Sequence, residues 1–195
     1  MTPFEYIMPL VSVLVGLAIA DLAVSFNRLL RARDRVQWNW LPLLTAFMAI
    51  LAVLDIWWVF YGEQQADFYQ TLAGFLPIVA QLILLYLINA AALPDDVPPE
   101  GMDLKEFYEE NSPYFWTLFV IYFASAFVTH IVSNFHSDGD SIHILQDTLW
   151  NLAIVVFLGS LIFVKNKRYH AAVIIAFLVF YMSQGSFRSL ETIQR

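Results

Sequence analysis

Residues 9–35 read PLVSVLVGLAIADLAVSFNRLLRARDR. A helix needs about 20 predominantly apolar residues to cross a bilayer, and this run supplies them with a single acid, Asp21, before it ends in Arg28, Arg31, Arg33 and Arg35. It predicts a transmembrane helix whose C-terminal end sits in a polar layer. Asp21, Ser25 and Arg28 follow i, i+4, i+7 spacing and share one stripe. Ser12, Gly16 and Ala20 form a small-residue stripe on nearly the opposite side, of the kind that lets helices approach closely. The helix is thus expected to have a packing face and a separate polar face.

The composition extends this reading to the whole chain. With 59% hydrophobic residues over 195 positions and a mean hydropathy of +0.63, polar sequence is too scarce to cover a water-soluble surface. A single integral membrane domain over 1–195 is expected, with lipid as its first partner. The chain has no cysteine, which removes disulfides, thiolate metal sites, iron–sulfur clusters and cysteine nucleophiles. The net charge of −7 comes without a basic face, so nucleic acid is excluded as a partner. Glu5 stands where a signal peptide would carry basic residues, so the first helix is expected to be retained.

Six apolar spans follow from length and hydropathy, at about 6–30, 40–61, 71–93, 113–134, 147–164 and 169–188. The predicted fold class is an all-α, six-transmembrane-helix bundle. Connections one, three and five carry Arg28 to Arg35, Lys105, and Lys165, Lys167 and Arg168, while connections two and four carry no Lys or Arg. Positive residues accumulate on the cytoplasmic side. Both termini are therefore expected outside the cytoplasm, in a plasma or bacterial inner membrane. Trp38, Trp40, Trp57, Trp58, Trp116 and Trp150 fall near span ends and read as interfacial anchors.

Local signals mark the helix ends. Pro42 and Pro113 suit first turns, Asn111 and Ser112 are placed to cap a fourth helix starting at Pro113, and Pro77 is expected to bend the third. The acidic connection 94–112, within LPDDVPPEGMDLKEFYEENSP, contains a short helix start at Asp103 and Glu106. A solvated loop is its default reading, and a basic protein partner at 95–110 is the alternative. GLAIADLAVSFNRL and YFASAFVTHIVSNF show a faint correspondence in polar spacing. Three-helix halves related in this way would be inverted repeats.

Ionisable groups in the hydrocarbon layer are costly and call for a partner, water or a function. Helical rise and angle sort them into two clusters. The inner one gathers Asp21, Ser25, Arg28 and Asn89; the outer one gathers Asp55, His130, Asp147, Gln184 and Arg188. Asp21 reads equally as a site or as a structural partner of Arg28, and Asp55 equally as a site or as a carboxylate held by indole donors or Arg188. Tyr122, Ser125, Thr129 and Ser133 form a further polar stripe on the fourth helix, suited to a hydrated path or to bonds within an inert bundle.

No cofactor is expected. His130 and His170 fall near opposite membrane faces and cannot ligate one haem. His136, Asp138, Asp140 and His143 bring metal-ligand chemistry into one connection, but their spacing matches neither an EF-hand nor HExxH, and an ordinary turn is the preferred reading. No Walker loop or nucleophile elbow is present, so the chain is not read as an enzyme. The functional expectation is an ion, proton or small-solute channel or transporter built on intramembrane carboxylates, in a homo-oligomer. The alternative is a non-catalytic membrane subunit or sensor docking a partner through the acidic segment.

Overall fold

The computed structural model describes residues 3–62, 72–134 and 141–185. Among them six α-helices carry most of the chain: α1 (Pro3–Arg31), α2 (Trp40–Gly62), α3 (Leu72–Ala92), α4 (Leu104–Asn134), α5 (Ser141–Phe163) and α6 (Lys167–Gly185). The stretches Met8–Arg31, Gly74–Ala92 and Leu104–Thr129 are each long and apolar enough to cross a membrane, and Trp40–Ile56 and Thr148–Phe163 are shorter apolar helices. Only 22% of the most apolar window of α1 is buried within the chain. Its outward side chains, Leu10, Val13, Leu17 and Val24, are apolar and exposed, a surface suited to lipid rather than water.

Among the described side chains of α1 the buried ones are Val11, Ala18, Leu22, Ser25 and Leu29, and Ala32, just past its end, continues the series. Their spacing alternates between three, four and seven, the seam of a helix packed lengthwise on a neighbour. This reverses the expected division of faces. The side that packs is the one bearing Ser25, with Asp21 at its margin, whereas Ser12, Gly16 and Ala20 are exposed and a Cβ added at Gly16 would meet nothing. Leu22 and Leu29 bury far more area than a glycine stripe could, and burial of branched chains against α3 decides the rotation.

Helix α3 sits centrally and packs against α1, α2 and α4; α5 lies along α4, and α6 meets α2 and α5. The two three-helix units are not paired alike, since α1 rests on α3 while α4 rests on α5. Short devices tie the connections together at one end of the bundle. A 3₁₀ turn, Arg33–Arg35, leads into β1 (Val36–Gln37), which pairs in parallel with β2 (Met102–Asp103). Gly101 adopts φ +97°, and a Cβ there would stand 2.6 Å from the carbonyl oxygen of Arg35. Only glycine permits both that conformation and that approach.

Helix starts are capped at three places, of which the sequence marks Asp103. Asn39 Oδ1 accepts from Leu41 N at 3.0 Å, Asp103 Oδ1 from Lys105 N at 2.7 Å, and Asn166 Oδ1 from Arg168 N at 3.0 Å. The helix begun at Asp103 does not stop before Pro113. It continues through it as one 31-residue helix, α4, because a proline withdraws only the donor that would have reached Glu109. Asn111 therefore cannot cap α4. Its Nδ2 donates instead to the carbonyl of Ala91, one of the terminal carbonyls that α3 leaves without a helical donor. Helix α3 likewise runs unbroken through Pro77.

Candidate functional site

One end of the bundle collects the helix ends on which orientation depends. Arg28 Nη1 donates to the carbonyl of Asp95, Arg35 Nη1 to that of Pro99 at 3.4 Å, and Lys167 Nζ pairs with Glu109. Connections one, three and five thus meet at a common surface. Eight of the chain's ten Lys and Arg residues belong to it (Arg28, Arg31, Arg33, Arg35, Lys105, Lys165, Lys167 and Arg168), and eight acids accompany them (Asp34, Asp95, Asp96, Glu100, Asp103, Glu106, Glu109 and Glu110). The surplus negative charge of the chain therefore lies elsewhere, on acids that include Asp21 and Asp55 within the helices.

Asp21 is placed about 15 Å from the arginine end of α1 by helical rise. Its Oδ2 is buried and accepts no hydrogen bond. Arg28, expected as its partner two turns away, points to Asp95 instead; a long guanidinium at a helix end reaches the carbonyl-rich layer more cheaply than it folds back toward the apolar interior. Asn89 is 1% exposed on α3. Its Nδ2 donates to Leu85 O at 2.8 Å within its own helix, which leaves its Oδ1 buried without a donor. Asn89 lies six residues before Asp95 and Asp21 seven before Arg28, so the bond between Arg28 and Asp95 sets the two at similar depth on packed helices. Among the described residues the inner region thus holds two buried acceptor oxygens and no donor directed at either.

Asp55 lies about 22 Å along α2 from Trp40. It lines a cavity of about 30 Å³ between α2, α4 and α6, walled by the rings of Phe119, Tyr122, Phe123, Phe177 and Tyr181. These rings form a continuous set: Phe119 stacks on Phe123 with centroids 5.7 Å apart, Phe123 meets Phe177 edge-on at 5.8 Å, and Phe177 stacks on Tyr181 at 6.2 Å. The side chains of His130, His143, Asp147, Gln184 and Arg188, and residues His136, Asp138 and Asp140, lie outside the described part of the structure.

Of the hydroxyl stripe on α4, Ser125 Oγ donates to Tyr122 O at 2.8 Å and Thr129 Oγ1 to Ser125 O at 3.0 Å, so both are satisfied within the helix. Thr129 also accepts from Gln81 Nε2 at 3.2 Å. Gln81, buried on α3, joins the polar interior without having been anticipated; a single amide amid PIVAQLILLYL is the signal that marks it.

A second network was also not anticipated. Trp116, expected as an interfacial anchor, is 0% exposed, and its Nε1 donates to Tyr108 Oη at 3.2 Å. Tyr108 Oη lies 2.7 Å from His170 Nδ1, and His170 Nε2 lies against the carbonyl of Val164. A neutral imidazole protonated on Nε2 satisfies every member: Trp116 gives to Tyr108, Tyr108 to Nδ1, and Nε2–H to Val164. The arrangement clamps the start of α4 to the turn between α5 and α6. Beside it Ser160 Oγ and Tyr169 Oη share a hydrogen bond of 2.7 Å.

Among the described residues no group of three or more His, Cys, Asp or Glu side chains could hold a metal ion. Comparison of the chain with protein-family models, curated proteins and solved structures finds no match.

Proposed function

We propose that the chain moves a small cation or proton across a cell membrane, as a channel or transporter, with Asp21 and Asp55 as its intramembrane carriers of negative charge. The observation that carries this reading is the inner pair of orphaned oxygens. Asp21 Oδ2 and Asn89 Oδ1 are both acceptors, both buried and both without a donor. Leaving such groups bare costs about 1–3 kcal/mol each, and a passing proton or cation relieves both. Asp55, farther from the basic end, supplies a second negative position, and the sequence sets His130 at about the same depth as its titratable companion.

In this reading the six helices all span the membrane, with the shared basic surface in the cytoplasm and both termini outside. The sequence joining α2 to α3 and that joining α4 to α5 contain Glu63, Asp67, Asp138 and Asp140 and no Lys or Arg, which favours cations on the outer side. Association into a homo-oligomer uses the exposed Ser12, Gly16 and Ala20 stripe. The test is flux in proteoliposomes, with dyes or electrodes reporting protons and monovalent cations, for wild type, Asp21→Asn and Asp55→Asn. Loss in either variant supports the assignment; wild-type flux in both removes it.

A second reading is a membrane subunit that docks a basic protein through the acidic segment. It is favoured by the way Arg28 and Arg35 hold that segment while Asp95, Asp96, Glu100 and Glu106 stay exposed. Co-purification that is unchanged on reversing those four charges counts against it.

A further inference from the structure

We propose that the cavity at Asp55 is a binding site for a water-sized, weakly hydrated monovalent cation of the ammonium class. The inference rests on the cation-transport reading and gives it a substrate class. The cavity, about 30 Å³ and partly open, suits a species of about water size better than a sugar or an amino acid. Its wall offers one carboxylate, Asp55, and two tyrosines; the rest is apolar or aromatic. A neutral polar solute would lose its hydrogen bonds to water against such walls and regain few. A cation regains an ion pair with Asp55 and the attraction of ring faces. A carboxylate accepts at several lone-pair positions, so Asp55 can keep the contacts it makes and still meet a cation.

The same wall discriminates among cations. Calcium takes six to eight oxygen ligands and magnesium gives up its waters reluctantly, so one carboxylate among aromatic rings holds neither. Sodium, small and tightly hydrated, is poorly compensated by ring faces. Ammonium matches the cavity in size, and its four N–H donors suit a mixed wall of carboxylate oxygen, phenol and π-face. Phe123, Phe177 and Tyr181 are mutually braced by stacking and edge contacts, so the ring wall is set before the cation arrives and little ordering is required on binding.

The experiment is thermal unfolding and calorimetric titration of the full chain in detergent with ammonium chloride, against sodium chloride and tetramethylammonium chloride at constant ionic strength. A saturable rise in Tm and heat of binding are expected for ammonium alone. Asp55→Asn should raise Kd by about 100-fold, because it removes the charge partner, and Tyr181→Leu by about tenfold. Ala52→Leu keeps the carboxylate and fills the cavity that Ala52 lines, and it should abolish binding, so the idea does not hang on the folding of Asp55→Asn. Lys167→Gln, at the distant basic end, should bind ammonium normally. Absence of saturable binding, equal binding of sodium or tetramethylammonium, or binding that survives both Asp55→Asn and Ala52→Leu overturns the site. Saturable binding at Asp55 with no flux in proteoliposomes leaves the site standing and overturns transport; flux without that binding does the reverse.

Discussion

Arg28 turns away from Asp21 on its own helix and donates to the backbone carbonyl of Asp95, so the acid and the base that share a stripe on α1 act in separate places. The arginine pins the acidic segment to the end of α1, and the aspartate keeps one buried oxygen unanswered.

Stability should record that separation. Arg28→Gln loses a charge-assisted bond at an exposed site and should cost about 1 kcal/mol. Asp21→Asn removes a charge at a buried oxygen that accepts no hydrogen bond, so it should be neutral or stabilising by about 1 kcal/mol. The double variant, measured by denaturant unfolding in detergent, should be additive to within about 0.5 kcal/mol. A coupling well above that would mean the two residues pair after all.

Tyr108 is the hinge of the buried network between Trp116 and His170. Tyr108→Phe preserves the ring and strands the indole N–H and the imidazole Nδ1, at a cost of about 2 kcal/mol or more. Trp116→Ala should cost more, about 3–5 kcal/mol, since it also empties a fully buried volume. The nearby pair of Lys167 and Glu109 is a different case. Glu109 pushes the Lys167 ammonium above its ordinary 10.5, so the stabilisation the lysine gains from its charge is lost as pH rises through the higher folded value. Both side chains are partly exposed, and Lys167→Gln should shift Tm less than Tyr108→Phe at any salt concentration.

Gly101→Ala asks an L-residue to hold φ +97° with its Cβ against the Arg35 carbonyl. The strain, about 1–3 kcal/mol, should be relieved by parting β1 from β2. Limited proteolysis within residues 93–103 should accelerate severalfold while the helical circular dichroism stays unchanged. Equal cleavage in wild type and variant would show that this pairing is not what orders the segment.

Much of the architecture was legible because it rests on one-dimensional signals. Apolar run length gave the helices, Lys and Arg counts predicted that connections one, three and five share an end, and Asp103 announced its cap. What was not legible depends on which neighbour a side chain meets. The small stripe of α1 looked like its packing face, but Leu22 and Leu29 decided the rotation against α3. Asn111 looked like a cap for the helix that follows it, and it caps the one before. Trp116 had the position of an interfacial anchor, and only the convergence of Tyr108 and His170 from other helices made its burial favourable. Asp55 stood out by its charge, whereas the cavity beside it needs five rings from two helices that lie far apart in sequence.

Because the chain has no cysteine, single introduced cysteines report membrane sidedness against a silent background. Arg33→Cys, Glu100→Cys and Lys165→Cys place one thiol in each connection of the shared basic surface, all at exposed positions. If that surface faces the cytoplasm, an impermeant maleimide should leave all three unlabelled in intact cells and label all three after permeabilisation. Thr2→Cys and Gln65→Cys should behave oppositely, since six spans put the N-terminus and the connection between α2 and α3 outside. The pattern is sensitive to span number as well as direction. With only Met8–Arg31, Gly74–Ala92 and Leu104–Thr129 crossing, α2 would not return the chain to the outer face. Gln65 would then share a side with Arg33, and Glu100 would label opposite to it. Agreement among the three basic-side thiols, with Gln65 opposed, therefore requires α2 to cross, and the behaviour of Lys165 decides the same question for α5.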